Sequence, residues 1–397
     1  MEPKEFIPVA EARRIIAGLA KPLPPRTLPI EKANGLVLSE NVFATMDIPA
    51  FDQSSMDGYA IRFEDISGTL LLQGVIPAGA LQETELSKKH AMRIFTGAPL
   101  PPGADTVVMQ EKVSAGPAEI RVEDRHIEKG MHVRLRGADV KSGELIMQKD
   151  TVLSATKIGL LAGMGIAEIR IFPPPSVTII ATGREIQKPG SALGFGQVYE
   201  SNTYFLEAAL EQTFIRDVRA LYADDELAIV QEKLASGLKQ SDVVLLTGGV
   251  SVGDYDFVRR AADLNGIDCR FHKVKQKPGK PFYFGTKENQ LIFGLPGNPS
   301  SVITCFYEYV LPAMEQIMQR PDQNKLFTAI LKEDFRKAEG LTQFLKGYEE
   351  NESVSILAGQ ESFRLRSFSQ ANCLVALDEQ RKEYKKGERV SIRRLPC

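Results

Sequence analysis

The chain has 397 residues, of which 43% are hydrophobic and 25% are charged. This composition excludes a disordered, collagen-like or coiled-coil chain, and the length predicts about two to four globular domains. The 49 Lys and Arg residues nearly balance the 51 Asp and Glu residues, so the net charge is only −2. Without a dominant charge the chain has no general attraction for nucleic acid or an anionic membrane, and an anionic ligand must be held by a local cluster.

The first residues, 1–14, lack the apolar run of a signal peptide, and no stretch approaches the roughly 20 apolar residues of a membrane span. The cysteines form no C-x-x-C pair, which argues against a zinc knuckle or a disulfide framework. We therefore expect a soluble, cytoplasmic protein.

The N-terminal region is predicted to begin with an amphipathic helix, which the prolines within 21–25 end. From about 26 to 171 the apolar runs are short and are separated by Gly and Pro, which predicts a β-rich region. The inward residues of the helix are Ala12, Ile15, Ile16 and Leu19, and the clearest β runs are 69–72, 106–110, 119–122 and 132–135.

After the prolines at 173–175, long apolar runs begin to alternate with amphipathic helices. Such alternation predicts a parallel sheet covered on both faces, and so an open α/β unit over about 174–320. Asn202 is predicted to cap the first helix, and Pro312 to kink the last one. The predicted strands are 177–181, 243–246 and 291–293, and the predicted helices begin near 202, 226, 258 and 299.

Short β runs return after Arg320 and Pro321 and continue to the end of the chain. A tail composed of such runs, without a helical pattern between them, predicts a small β-barrel or sandwich. The runs are 327–331, 342–347, 353–357, 374–377 and 389–395.

Two Gly-rich turns are predicted to lie at neighbouring strand tips, where ligands bind in open α/β sheets. The second strand runs into T-G-G-V-S-V-G-D-Y-D (247–256) and the third into G-L-P-G-N-P (294–299). Glycine lets the backbone approach a ligand, and helix N-termini present free N–H groups to phosphate. Each turn alone also fits a plain strand-to-helix connection, but the two together favour a cradle for a phosphorylated ligand.

The segment between these turns, H-K-V-K-Q-K-P-G-K-P (272–281), is rich in lysine. A solvated basic loop is one interpretation. The other, favoured by the two prolines that stiffen the loop, is a fixed cluster of ammonium groups that binds phosphate or another oxyanion. The lysines are Lys273, Lys275, Lys277 and Lys280.

Acidic residues beside the predicted cradle suggest a Mg²⁺ site, because Mg²⁺ usually takes one or two carboxylates together with substrate phosphates. The candidates are Glu185, which follows the first strand, Asp224 or Asp225, and Asp256. For Asp224 and Asp225, capping of the helix that begins near 226 is an equally good explanation.

Further motifs accompany the two Gly-rich turns, in order: F-D-Q-S-S-M-D-G-Y-A (51–60), T-G-A-P-L-P-P-G-A-D (96–105), R-G-A-D-V-K-S-G-E (136–144) and K-P-G-K-P (277–281). Jointly they make the chain, from about 6 to 395, resemble the molybdopterin molybdenumtransferase family, which includes bacterial MoeA and the E domains of gephyrin and its plant counterpart. The tail departs from the family's Gly-rich pattern over 360–374. There Phe363 and Cys373 replace glycines, and Arg366 and Ser367 remain candidates to face the cleft.

The resemblance implies an α/β and β multidomain subunit with a central open, MogA-like α/β domain. The implied parts are a discontinuous N-terminal domain (1–45 and 141–172), an inserted β-rich domain (46–140), the α/β domain (173–322) and a C-terminal β-barrel (323–397). It also implies a homodimer, in which the active site combines the α/β domain of one subunit with N-terminal loops of the other.

The implied reaction inserts molybdate into adenylylated molybdopterin with release of AMP, uses Mg²⁺, and is the last step of molybdenum cofactor assembly. Contact with the molybdopterin adenylyltransferase of the preceding step is implied as well. That adenylyltransferase activity and a non-catalytic, gephyrin-like scaffold are the alternatives. The sequence does not distinguish molybdate from tungstate as the substrate.

The resemblance further implies roles for individual residues. Glu185 and Asp256, with Asp224 or Asp225, would hold Mg²⁺ or position the group that cleaves the P–O bond. Asp57 and Thr96 of the partner subunit would complete the catalytic group, with support from Asp139. Phosphate, pterin or molybdate would be bound by Gly248, Gly249, Ser251, Lys273, Lys277, Lys280, Gly297 and Asn298.

Overall fold

The structure is a computed structural model that describes residues 6–81, 84–249, 257–321 and 325–396. Within these ranges no helix is long and apolar enough to cross a membrane. The chain forms a β-rich N-terminal part, a central α/β part and a C-terminal β-barrel, which confirms the predicted fold class. The exact domain boundaries stay predictions.

The N-terminal part begins with helix α1 (Val9–Leu19), which buries Val9, Ala12 and Ile16 at helical spacing. Helix α2 (Ala155–Gly163) lies near its end. The strands are β1 (Arg26–Pro29), β2 (Val37–Leu38), β3 (Val42–Phe43), β4 (Gln53–Ser54), β5 (Gly58–Ile61), β6 (Thr69–Ile76), β7 (His90–Ile94), β8 (Thr106–Met109), β9 (Val113–Ala115), β10 (Glu119–Val122), β11 (Val133–Arg134), β12 (Leu145–Met147) and β13 (Glu168–Phe172).

Two sheets organise this part of the chain. Strands β1 and β2 both pair antiparallel with β13, so the chain returns to the place where the region began. The chain between β2 and β13 contains a six-stranded sheet in the order β8-β5-β7-β6-β10-β9. The loops that carry Asp57 and Thr96 lie at the ends of β5 and β7 in this sheet.

The central part alternates strands and helices. Its strands are β14 (Val177–Thr182), β15 (Ile186–Gln187), β16 (Val198–Tyr199), β17 (Val218–Ala223), β18 (Val243–Thr247), β19 (Asp268–Lys273), β20 (Gln276–Lys277), β21 (Pro281–Lys287) and β22 (Gln290–Leu295). Its helices are α3 (Asn202–Gln212), α4 (Leu227–Gln240), α5 (Phe257–Leu264), α6 (Pro299–Cys305) and α7 (Leu311–Ile317), with a π-helical turn (Phe306–Val310) between the last two.

The central sheet has six strands in the order β17-β14-β18-β22-β21-β19. The first four run parallel, and β21 and β19 continue the sheet antiparallel. Separate apolar clusters cover the two faces, so the predicted two-sided packing is confirmed. The sequence analysis did not predict β17, because this edge strand is only half-buried and lacks a continuous apolar run.

The long helical segment 299–317 changes geometry where Pro312 was predicted to kink it. The π-helical turn precedes α7, and Pro312 lies in the first turn of α7. Proline has no N–H to donate to the carbonyl group four residues earlier, which is that of Glu308, so the regular ladder cannot continue there.

The C-terminal part is a closed β-barrel. Strands follow one another in the order β25-β26-β23-β29-β27, and β27 pairs back with β25 to complete the circle. Strand β20 of the central part adds to β25. The strands are β23 (Leu326–Leu331), β24 (Phe335–Arg336), β25 (Thr342–Glu350), β26 (Ser353–Ile356), β27 (Cys373–Leu377), β28 (Glu383–Tyr384) and β29 (Arg389–Arg394).

A buried ion cluster joins the three parts. The carboxylate of Glu308, in the π-helical turn, accepts hydrogen bonds from Arg13 of α1 and from Arg393 of β29. Arg393 Nε lies 2.9 Å from Glu308 Oε1, and both side chains are almost fully buried. A buried carboxylate persists only when it is paired and hydrogen-bonded, so this contact constrains the relative placement of all three segments.

We expect Glu308→Ala to lower the free energy of unfolding in urea by about 3–5 kcal/mol, because it leaves two guanidinium groups without their buried partner. Glu226→Ala is the matched control, since Glu226 pairs with Arg184 on the surface and its removal should cost no more than about 1 kcal/mol. Equal effects of the two substitutions would contradict the role assigned to the cluster.

Candidate active site

The two Gly-rich turns lie against each other at the carboxyl ends of β18 and β22. A Cβ atom placed on Gly297 would be 3.6 Å from the Cα atom of Gly248. Gly248 has φ +85°, and a Cβ atom there would lie 2.4 Å from the carbonyl oxygen of Thr182, at the tip of β14. Only glycine fits at Gly248, so the neighbouring strand tips predicted from sequence do approach one another closely.

Asn202 holds the two turns together. Its Nδ2 donates to Thr247 Oγ1 and to the carbonyl oxygen of Gly297, both at 2.9 Å. The prediction that Asn202 caps α3 was wrong, because Ser201 is the capping residue and Asn202 already belongs to the helix. The sequence analysis missed this bridging role, although a side-chain amide at a helix start beside strand tips was the available signal.

A cavity of about 430 Å³ opens beside these turns. Glu185 lies at its wall and folds back over Gly183, so that a Cβ atom on Gly183 would meet Glu185 Oε2 at 2.8 Å. The residues that line the cavity are Ala181, Thr182, Glu185, Ile186, Val198, Tyr199, Glu200, Ser201, Asn202, Asp225, Thr247, Gly248, Gly249, Gly297, Asn298 and Pro299.

The two candidate aspartates separate in the structure. Asp225 lines the cavity beside Glu185, whereas Asp224 lines a second depression with Lys188 and Tyr222. Neither aspartate caps α4, because the capping residue is Glu226 and its side chain makes no capping bond. Asp225 is therefore the one of the pair whose position suits a ligand in the cavity.

Two oxygen atoms at the cavity wall are buried without a partner. Thr182 Oγ1 and Glu200 Oε2 make no hydrogen bond within the described ranges, although Glu200 Oε1 accepts from the N–H of Thr203 at 2.9 Å. Leaving a buried polar atom unpaired costs about 1–3 kcal/mol, which favours a ligand that satisfies it.

These oxygen donors fit the chemistry of a hard cation such as Mg²⁺. Among residues 6–81, 84–249, 257–321 and 325–396, no three His, Cys, Asp or Glu side chains are grouped closely enough to hold a metal ion. Mg²⁺ usually needs only one or two carboxylates when substrate phosphates and water complete its shell. The predicted site residues Ser251 and Asp256 lie outside the described residues.

The lysine-rich segment does not line the glycine cavity, and it is more ordered than the predicted loop. Lys273 ends β19, Lys277 belongs to β20, and Lys277 and Lys280 are exposed. Lys277 lines a different cavity of about 650 Å³ against the barrel. Helix α6 connects the two places, because its first turn borders the glycine cavity and its Ser301 lies beside Gly279.

Asp57 and Thr96, predicted to act together, do lie together. Asp57 Oδ1 accepts hydrogen bonds from the backbone N–H and the hydroxyl group of Thr96, both at 2.8 Å. These two bonds hold the pKa of Asp57 below its usual value. Neither Asp57 nor Thr96 lines the glycine cavity, and Asp139 does not line it either. Asp139 is exposed, and its N–H donates to the carbonyl oxygen of Ile48.

The divergent tail segment is held against α6 by Lys346, a residue that the sequence analysis did not select. Lys346 is buried, and its Nζ donates to the carbonyl oxygens of Gly359 (2.7 Å) and Arg364 (3.2 Å) and to Ser300 Oγ (3.4 Å). Ser367, a candidate to face the cleft, instead donates to the carbonyl oxygen of Gly359 at 2.7 Å and is buried. Arg366 is exposed.

Family models match almost the whole chain. The MoeA N-terminal region (domain I and II) matches residues 7–165, a probable molybdopterin binding domain matches 178–316, and the MoeA C-terminal region (domain IV) matches 328–395.

Named relatives are similar over nearly their full length. A molybdopterin molybdenumtransferase of Haemophilus influenzae is 33% identical over 94% of this chain and 94% of its own. Molybdopterin molybdenumtransferase 2 of Mycobacterium tuberculosis is 32% identical over 97% of this chain and 98% of its own. A molybdopterin biosynthesis MoeA protein of Pyrococcus horikoshii, solved as a crystal structure, superposes with a TM-score of 0.81 at 28% identity, over 98% and 99% of the two chains.

We expect Thr96→Val to raise the pKa of Asp57 toward its ordinary value, because the substitution removes the hydroxyl donor and keeps the backbone N–H. Because the folded-state pKa is the lower one, these bonds stabilise the fold at neutral pH, and that contribution disappears as the pH falls through the folded-state pKa. Carboxyl-carbon NMR titration measures the change. Asp47, whose pKa is lowered by Ser142 and Arg136, serves as an internal control that should not move. An unchanged Asp57 titration would contradict the assignment.

Proposed function

The chain belongs to the molybdopterin molybdenumtransferase (MoeA) family, and from this premise we propose that it inserts molybdate into adenylylated molybdopterin and releases AMP. The observation that carries the proposal is the cavity in which two glycine turns meet beside Glu185 and Asp225. Its bare backbone suits close approach of phosphate groups, and its carboxylates suit the cation that accompanies them.

In this proposal the chain's own groups bind and orient the phosphate linkage that is cleaved. The backbone at Gly248, Gly249 and Gly297 approaches the phosphates, and Asn202 fixes the two turns at their working separation. Glu185 and Asp225 would hold Mg²⁺, which supplies neutralisation of the negative charge that develops on the phosphate oxygens. Asn298 lines the cavity and would contact the ligand through its side-chain amide. The start of α6 offers no free N–H to an anion, because Pro299 has none and the N–H groups of Ser300 and Ser301 donate to the carbonyl oxygens of Ser362 and Asn298.

We place the completing residues, Asp57 and Thr96, in the partner subunit of a homodimer. This is supported by their absence from the cavity of their own subunit. It is also supported by large apolar side chains that the N-terminal part leaves exposed, a feature typical of surfaces covered by another chain. These side chains are Phe43, Met46, Phe51, Met56 and Leu135. Contact with the adenylyltransferase that supplies the substrate stays a prediction.

The adenylyltransferase alternative is less well supported, because the family matches extend over both the N-terminal and the C-terminal parts as well as the α/β part. A purely structural scaffold would have no need of buried, unpaired oxygens beside a glycine cradle. The two alternatives and the main proposal differ in one observable, which is AMP release that depends on molybdate.

We expect the purified protein to release AMP from adenylylated molybdopterin when molybdate and Mg²⁺ are both present. Glu185→Gln and Asp225→Asn should each lower kcat on the order of 100-fold, because each removes a charge beside the phosphates. Asp224→Asn, in the separate depression, should change kcat by less than about threefold, because removing an exposed charge away from the site has only a small effect. AMP release at the same rate with and without molybdate would contradict the proposed function. A larger loss of kcat for Asp224→Asn than for Asp225→Asn would contradict the metal-site assignment.

A further inference from the structure

The loops that carry Asp57 and Thr96 meet around one arginine side chain, that of Arg93 in β7. Arg93 lies opposite Tyr59 of the neighbouring strand β5. The Cζ atom of its guanidinium group lies 5.0 Å from the ring centre of Tyr59 and 5.0 Å from that of Phe95, the residue before Thr96. Contact with two aromatic rings favours the planar, weakly hydrated guanidinium group and restricts its orientation.

The hydrogen bonds of Arg93 connect it to the backbone on either side of this place. Its Nη1 donates to the carbonyl oxygen of Gly58, the residue after Asp57, at 3.0 Å. Its Nη2 donates to Oε1 of Gln110, which follows β8. The backbone N–H of Gln110 in turn donates to the carbonyl oxygen of Asp57 at 3.1 Å. One side chain therefore links the ends of β5, β7 and β8 that present Asp57 and its partner.

The strands beneath Arg93 form a rigid base. Gly58 pairs with Ile94 of β7 on one side and with Met109 of β8 on the other. A Cβ atom on Gly58 would lie 1.9 Å from the carbonyl oxygen of Val108, so only glycine allows β5 and β8 to approach this closely. The guanidinium group is thus in place before any ligand arrives, which is the condition for an effective electrostatic role.

The positive charge of Arg93 is not used in a direct ion pair. In the part of the chain that the structure describes, no carboxylate lies within ion-pair distance of its guanidinium group. The pKa of Asp57 is lowered by the two hydrogen bonds from Thr96 and, in addition, by the charge of Arg93. The pKa of Glu111 is lowered by the hydrogen bond from Gln110, by its own N–H and by Arg93, and Asp57 opposes this by repulsion. Arg93 therefore offsets the repulsion between two nearby carboxylates.

A fixed cation behind Asp57 has a physical purpose in a site that binds phosphates. Asp57 is exposed and points away from the glycine cavity of its own subunit. Beside the phosphate groups of a substrate in the partner's cavity, its ionised form would be opposed by their negative charge. Arginine can offset this at any working pH, because its guanidinium group does not lose its proton.

We propose that Arg93 is the positioning residue of Asp57 and Thr96, holding them in the orientation, and supplying the fixed positive charge, with which they complete the partner's cavity. Arg93 touches neither the substrate nor the cation and acts through Asp57. The identity of the site that the pair completes rests on the proposed function. The link between Arg93 and Asp57 rests on the contacts within one subunit.

The first test measures this link without substrate, by carboxyl-carbon NMR titration of the full-length protein. Arg93→Met keeps an unbranched side chain between the two rings but removes the charge and both donors. The pKa of Asp57 should rise toward its ordinary value, and that of Glu111 should rise with it. An Asp57 titration that is the same in the variant and in the unmodified protein would overturn the proposal.

A matched control separates positioning from general destabilisation. Arg62 also donates to a backbone carbonyl oxygen, that of Leu86, from Nη2 at 2.6 Å and from Nε at 3.1 Å, but it follows the other end of β5. Arg62→Met should lower Tm without changing the titration of Asp57 or kcat. If Arg62→Met raised the pKa of Asp57 as much as Arg93→Met does, loss of stability would explain both and the proposal would be wrong.

The second test locates the effect by mixing subunits and following molybdate-dependent AMP release. Arg93→Met alone should lower kcat on the order of tenfold. Mixing it equally with Glu185→Gln subunits should raise the activity to about a quarter of the unmodified value, because each mixed dimer then has one intact site. Mixing it with Asp57→Asn subunits should instead lower the activity to about half that of Arg93→Met, because every site then has a defect.

The opposite pattern, with a gain beside Asp57→Asn and none beside Glu185→Gln, would mean that Arg93 serves the cavity of its own subunit, which contradicts the proposal. Should Arg93→Met fail to fold, Arg93→Lys is the milder change, since it keeps the charge and loses the planar fork. Its kcat should fall about threefold, and an unchanged kcat would overturn the proposal. An unmodified protein that releases no AMP would refute only the proposed function, because the NMR titration still decides whether Arg93 acts on Asp57.

Discussion

Glu308 is a buried carboxylate that must be neutralised, and its two arginine partners come from opposite ends of the chain. This requirement brings α1 and β29 onto the helical segment 299–317. The same segment borders the glycine cavity, the tail segment and the lysine-rich segment. From its N-terminus onward it contributes Pro299 to the wall of the glycine cavity, Ser300 to the contact with Lys346, and Glu308 to the ion cluster. Its Cys305 and Tyr309 pack against Gly279 and Gln276 of the lysine-rich segment.

The chain is nearly neutral overall, but its acidic and basic groups are concentrated at different places. The glycine cavity is lined by carboxylates, and none of its lining residues that the structure describes is a lysine or arginine. The exposed Lys277 and Lys280 lie outside that wall, and Lys277 lines a separate cavity against the barrel. A substrate that carries phosphates, a divalent cation and a second oxyanion needs both environments. Keeping them apart prevents the lysines from neutralising the carboxylates before the ligands bind.

Short sequence motifs predicted those parts of the site that depend on the backbone conformation of neighbouring residues. The glycine turns were predictable because a positive φ or a close approach restricts a position to glycine, and strand tips collect such turns. The pairing of Asp57 with Thr96 followed from the family resemblance. The order within the lysine segment was not predicted, because β19 is only partly buried and basic residues carry no apolar signal. Strand β21 was missed although its apolar run, Phe282–Phe284, is fully buried, because the lysine-rich segment before it was interpreted as a loop.

What the sequence could not reveal are pairings between distant residues. Gln276 meets Tyr309, and Glu308 meets Arg13 and Arg393, through contacts that have no local signature. Asn202 was assigned to the wrong role because Asn at a helix start is usually a cap, whereas here its amide reaches across to two other strand tips. The sequence could not show that Asp225 lines the glycine cavity and Asp224 a second depression, because this depends on the direction of each side chain.

The central claim is that one subunit's glycine cavity works with the other subunit's Asp57. Mixing subunits that carry Glu185→Gln with subunits that carry Asp57→Asn tests this most directly, by molybdate-dependent AMP release. About half of randomly mixed dimers contain both kinds of subunit, and each of these has one intact site, so the account predicts recovery of about a quarter of the unmodified activity. A mixture that forms mixed dimers yet stays as inactive as either parent would contradict the account.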